Sequence, residues 1–136
     1  MPDKTFEYIK QKSAIFGTVG RPLIRIRIFS EKKKIWIPIY DVLLDSGADV
    51  SILPRFLGDM IVNDITKGKQ IELRGICPYS KLIAYIHNLR IIIVGKELSL
   101  PVAIADSDDV PVIFGRVKGM DMFNITLNNG KETVFN

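Results

Sequence analysis

Asp41-Val42-Leu43-Leu44-Asp45-Ser46-Gly47-Ala48-Asp49 is the stretch from which the rest of the chain is best read. An apolar run delivers a carboxylate, and a hydroxyl residue and a glycine follow at once. A Val-Leu-Leu strand favours burial. A carboxylate at its end is costly to bury unless something holds it or uses it. Gly47 lets the backbone turn sharply and come close to a neighbouring group, and Ser46 offers a hydroxyl that can lock the turn.

Upstream, Leu23, Ile24, Ile26 and Ile28 alternate with Arg25 and Arg27, the period of a half-exposed strand. Ser30 to Lys34 reads as a solvated turn. Ile35, Ile37 and Ile39 then alternate with Trp36, Pro38 and Tyr40, and Pro38 places that returning strand at an edge or a bulge. Trp36 reads as an outward aromatic packed on a neighbour. Residues 1–15 carry no strong period; Phe6, Tyr8 and Ile9 fit a short strand, a helix or an arm lying on a partner. Phe16 to Pro22 reads as a turn.

Downstream, Val50 to Leu53 is a short buried strand stopped by Pro54, which can begin a short helix ending near Gly58. Ile71 and Leu73, then Leu82 to Ile86, flank a Gly/Pro/Ser loop and predict a hairpin with a longer tip. Separate strands follow over Arg90–Val94, Leu98–Ala105, Val110–Phe114, Phe123–Leu127 and Thr133–Phe135, with Asn128-Asn129-Gly130 as a hairpin turn and a helical turn over residues 117–122. Many short strands with turn signals between them predict an all-β fold, a small barrel with one short helix.

Composition bounds the rest. The 136 residues suit one domain spanning residues 1–136, 47% of them hydrophobic with a mean hydropathy of +0.18. No apolar stretch approaches the roughly 20 residues of a membrane span, and the charged start lacks the apolar core of a signal peptide. Cys77 is the single cysteine, which excludes an internal disulfide and points to a reducing, cytoplasmic setting. A net charge of +4 is too small to indicate nucleic acid by itself.

The segment Val42 to Leu53 resembles the active-site segment of the retroviral-type (retropepsin-like) aspartic proteases. That family carries a second signature, an apolar strand ending in Gly-Arg, and Val112-Ile113-Phe114-Gly115-Arg116 looks like it. Asp121-Met122-Phe123 and the strand after it are similar to the closing segment of cellular relatives. The resemblance covers residues 23–128 in order. It implies a closed β-barrel with a flap hairpin whose tip is Ile76, Cys77, Pro78 and Tyr79. It implies an endopeptidase without metal or cofactor. Asp45 with Ser46 and Gly47 would be catalytic, and Ala48, Asp49, Ile52, Ile113 and the flap tip would meet substrate.

The chemistry of that family needs two carboxylates about one hydrogen bond apart, sharing a proton. The ionised one activates a water for attack on the peptide carbonyl, and the protonated one donates to the developing oxyanion. Only one such motif is present here, since Asp106-Ser107-Asp108 lacks the glycine. The resemblance therefore implies a two-fold homodimer with Asp45 of each copy on the axis, an Asp49–Arg116 pair supporting each site, and better activity at mildly acid pH. A catalytically weak or inactive peptide-binding module of the same fold is the alternative expectation. His87 reads as a plain strand residue, and the acidic residues 106–109 as a solvated loop without the spacing of a calcium site.

Overall fold

The computed structural model describes residues 4–75 and 81–136. The strands, in chain order, are β1 (Thr5–Glu7), β2 (Ile9–Ser13), β3 (Gly17–Arg21), β4 (Leu23–Ser30), β5 (Ile35–Leu44), β6 (Ser51–Leu53), β7 (Lys69–Arg74), β8 (Lys81–Ile93), β9 (Lys96–Ala105), β10 (Ile113–Phe114), β11 (Ile125–Asn128) and β12 (Glu132–Phe135). A short helix, α1 (Arg55–Ile61), follows β6. Two 3-10 turns, Ile65–Lys67 and Met120–Met122, complete the described elements.

Six strands close on themselves in the order β4-β5-β10-β6-β9-β8, with β8 returning to β4. The closing seam is short, Arg27 opposite Ile92 and Ile28 opposite Ile91. Inside lie the alternate apolar residues that the sequence pattern singles out. Ile24, Ile28, Val42, Leu89, Ile91, Leu100, Val102, Ile104 and Phe114 are almost wholly buried. Each such side chain contributes about 1.5–3 kcal/mol by leaving water. Strand β7 lies outside the ring, paired antiparallel to the first half of β8 from Lys69–Ile86 to Arg74–Lys81. The β7–β8 hairpin therefore overhangs the barrel.

Two smaller sheets sit beyond the ring. β12 lies between β1 and β11, and its Phe135 meets Phe6 and Phe123 edge-to-face at 5.8 and 5.3 Å. β2 and β3 form a two-stranded ribbon in register from Ile9–Arg21 to Ser13–Gly17.

Strand β5 contains the feature that aims the motif. Ile24 faces Val42 but Ile26 faces Ile39, so β5 carries one extra residue between those pairs. Asp41 takes up the bulge with φ of +59°. Before it Ile37 and Ile39 point inward; after it Val42 and Leu44 do. Inward parity switches from odd to even, and Asp45 leaves the strand on the side facing away from the core.

Four sequence expectations change. Residues 17–21 are strand rather than turn. The segment 81–93 is one continuous strand, because His87 and Asn88 stay paired to Val102 and Pro101. Helix α1 does not stop near Gly58 but runs through it to Ile61. A Cβ on Gly58 would lie 2.3 Å from Ile104 Cγ2, so the glycine permits close helix–sheet packing rather than ending the helix. Only Ile113–Phe114 of the Val110–Phe114 run is strand. Trp36 does pack on a neighbour: it stacks edge-to-face on Phe29 with Arg90 over both rings.

Candidate active site

β5 and β10 run parallel and leave the barrel side by side, Leu43 opposite Ile113 and Leu44 opposite Phe114. Backbone bonds continue past the strands, with Leu43 N–H donating to Val112 O (2.9 Å) and Asp45 N–H to Phe114 O (3.2 Å). Asp45 is thus held at the mouth by the neighbouring Gly-Arg strand. The loop turns at once: Ala48 N–H donates to Asp45 O (3.1 Å), and Gly47 N–H donates to Asp45 Oδ1 (2.9 Å). A Cβ on Gly47 would lie 3.2 Å from that carboxylate oxygen, tight enough to push against it.

The loop is fastened to the segment after β10 at four points. Gly115 N–H donates to the buried Ser51 Oγ (3.0 Å). Arg116 and Val117 N–H donate to Ala48 O and Asp49 O, both at 2.9 Å. Arg116 Nη2 donates to Asp49 Oδ1, an ion pair open to solvent on both sides. Gly115 is there because nothing else fits: a Cβ would stand 2.6 Å from the Val50 carbonyl carbon and oxygen.

Above this loop is an open cleft of about 660 Å³. Asp45, Gly47, Ala48, Asp49 and Val50 form one side, Ile52 and Ile113 the floor, and Leu73, Arg74 and Gly75 of the overhanging hairpin the other side. Ile52 and Ile113 are paired across β6 and β10 and are half-exposed. The structure thus brings Asp45, Gly47, Ala48, Asp49, Ile52 and Ile113 together around one hollow. Ser46 is exposed and, among the described residues, has no hydrogen-bond partner for its hydroxyl. Ile76, Cys77, Pro78 and Tyr79 lie outside the described residues.

Sequence reasoning did not single out Val50, Leu73 or Arg74 as cleft residues, or Ser51 as the acceptor for Gly115. Leu73 and Arg74 carry one usable signal: they are the last strand residues before the hairpin tip. Ser51 carries another, a polar residue at an inward position of a buried strand, which has to find a partner.

Other candidates fall elsewhere. His87 Nε2 donates to Ile65 O (2.7 Å), tying the 3-10 turn to β8. At the start of that turn Asp64 accepts from Thr66 Oγ1 (2.7 Å) and Thr66 N–H (3.0 Å). Those bonds hold the Asp64 carboxyl below its ordinary range, with Lys67 and His87 adding to the effect. Among the described residues, no group of three or more His, Cys, Asp or Glu side chains is placed to hold a metal ion, and no helix is long and apolar enough to cross a membrane.

No protein-family model and no curated protein matches this chain.

Proposed function

We propose that the chain is one half of a retropepsin-like aspartic endopeptidase, active as a two-fold homodimer in which the two Asp45 side chains share a proton. One observation carries the reading. Asp45 stands at the mouth of a closed β-barrel, beside a hollow of about 660 Å³ that an overhanging hairpin partly covers. Its carboxylate accepts a hydrogen bond from Gly47 within its own loop, and among the described residues no cation neutralises it. A carboxylate presented in this way has acceptor capacity left for a water and for a second carboxyl.

In the dimer each residue has a task. One Asp45, ionised, takes a proton from the attacking water; the other, protonated, donates to the carbonyl oxygen as it becomes an oxyanion, and a proton then passes to the leaving amine. Gly47 keeps the carboxylate oriented through its N–H. The exposed Ser46 hydroxyl reaches the partner loop across the axis. The Asp49–Arg116 pair and the Gly115–Ser51 bond keep each loop in place. An extended peptide would lie along Ile52 and Ile113 under the β7–β8 hairpin, adding strand-like hydrogen bonds, with apolar side chains preferred near the cut.

The test is Asp45→Asn assayed on a set of extended apolar peptides, with solution mass measured alongside. The expected loss of cleavage is on the order of 10³-fold, with the dimer retained. Undiminished cleavage sinks the reading. Peptide binding without turnover in the unaltered protein, at every pH from mildly acid to neutral, leaves the fold in its alternative role as a binding module.

A further inference from the structure

We infer that the outward face of β5, β4 and β8 binds single-stranded nucleic acid, a role separate from the Asp45 site. The three strands are neighbours, β4 pairing with both of the others. Strand alternation sends one set of their side chains into the barrel and leaves the other set outside. The outward set stands in three rows. Trp36, Phe29 and Arg90 make the first row, and Pro38, Arg27 and Ile92 the second. Tyr40 and Arg25 make the third, closed off by Val94 just past the end of β8. Three of these side chains are arginines, three are aromatic and none is acidic. A net charge of +4 understates such a face, because clustering of charge decides what a surface attracts.

The first row is satisfied within itself. Phe29 and Trp36 meet edge-to-face at 5.3 Å, and Arg90 lies over both rings while bonding Glu97 at 3.3 Å. The second row is not. The Arg27 side chain has no hydrogen-bond, ion-pair or ring partner among the described residues. It lines a hollow of about 260 Å³ together with Arg25, Pro38, Tyr40 and Ile92, and Tyr40 is 63% exposed there. A guanidinium and an exposed ring above an apolar floor match a phosphate joined to a flat base. An acidic peptide would use the arginines and leave the rings unstacked. A duplex hides the faces of its bases, and this sheet face presents no helix or ribbon to enter a groove.

Acidic groups at the rim set the direction. Glu7 and Asp41 share a neighbouring hollow with Arg25 and Tyr40 and repel phosphate at that end. At the other end the β4–β5 turn exposes Lys33 and Lys34 beside Glu31. The bound strand therefore runs from the Arg27 hollow across Trp36 toward the lysines. Successive rows are roughly 7 Å apart, so the face has room for two or three stacked bases, as sheet-borne aromatics hold in other proteins.

The experiment titrates the unaltered chain with a short labelled single-stranded oligonucleotide. The same titration is run with the duplex of that sequence and with a polyglutamate peptide of equal charge. Anisotropy reports binding, and the emission of Trp36, the single tryptophan, reports where it occurs. The single strand is expected to bind most tightly and to quench Trp36. Tyr40→Ala should weaken binding roughly 5- to 150-fold through lost stacking. Arg27→Ala should make the log-log dependence of affinity on salt shallower by about 0.7. Should either variant fail to fold, quenching of Trp36 in the unaltered chain still decides the matter. Absence of binding, equal affinity for the duplex or the polyglutamate, unchanged Trp36 emission, or folded variants that bind like the unaltered chain each overturn the inference. Peptide cleavage should be untouched by both substitutions, since neither residue lines the Asp45 cleft, so the two readings fail separately.

Discussion

Two strands of this barrel are followed by the same two residues, with opposite outcomes. β5 runs into Asp45-Ser46-Gly47, and β9 runs into Asp106-Ser107-Asp108. In the second turn every group is engaged structurally. Asp106 takes the Arg55 guanidinium, Asp108 Oδ1 accepts from Phe56 N–H (3.0 Å), and Ser107 accepts from Asp109 N–H through Oγ (3.1 Å) and from Arg55 N–H through its carbonyl (3.0 Å). This turn does the work of an N-cap for α1, whose own N-cap, Pro54, has no side chain able to do it. In the first turn the arginine of the neighbourhood binds Asp49 instead, and Asp45 is left open to the cleft. Strand, aspartate and serine do not separate the two. The glycine at the third position and the partner chosen by the nearest arginine do.

The sharpest way to break this comparison is to neutralise each aspartate in turn. Asp45→Asn is expected to cost about 10³-fold in cleavage, while Asp106→Asn should leave the rate per folded molecule within about twofold, since Asp106 touches no part of the cleft; comparable losses in both would erase the distinction. Next in size is Gly115→Ala. The added methyl meets Val50 backbone rather than a flexible side-chain end, and overpacking of this kind costs roughly 1–3 kcal/mol, read by chemical denaturation.

Smaller effects refine the contrast. Arg116→Ala and Arg55→Ala each remove a solvent-facing ion pair, so each should lower stability by only about 0.2–1 kcal/mol. Their activities should diverge, because only Arg116 steadies the Asp45 loop. The smallest expected effect is electrostatic and lies at neither turn. Asp64 has its folded-state pKa lowered, chiefly by the Thr66 hydroxyl. Its contribution is present above the unfolded carboxylate's pKa and is lost as pH falls through the lower folded value. Asp64→Asn should therefore depress Tm slightly at neutral pH and not at all in strong acid.

What the sequence made legible is what periodicity and local backbone chemistry control. The inward Ile and Leu residues of β4, β5, β8 and β9 were readable because one face of each is buried. The Asn129-Gly130 turn was readable because both residues adopt positive φ. The β2–β3 ribbon was not, since Lys10, Gln11 and Lys12 show no buried face. His87 read as a strand residue and is one, but the apolar runs 82–86 and 90–94 on either side of His87 and Asn88 read as separate strands, although the backbone pairing runs through both residues. Gly58 looked like a helix end because its reason for being glycine is Ile104, distant in sequence. At the site, Asp45, Gly47 and the Gly115-Arg116 pair announced themselves by order along the chain. Leu73 and Arg74 did not, because only the fold brings the hairpin over the loop.

The bulge at Asp41 has a consequence for how this segment tolerates change. Its effect depends on the number of residues between Ile39 and Leu44 and, at Asp41 alone, on a residue that tolerates positive φ. Apolar exchanges at Val42 or Leu44 that conserve volume should be absorbed by repacking. Removing a single residue there would turn Asp45 toward the Ile and Leu interior and its apolar neighbours toward water. In a library of variants of this chain, length should be the tightly restricted property of that strand and composition the looser one.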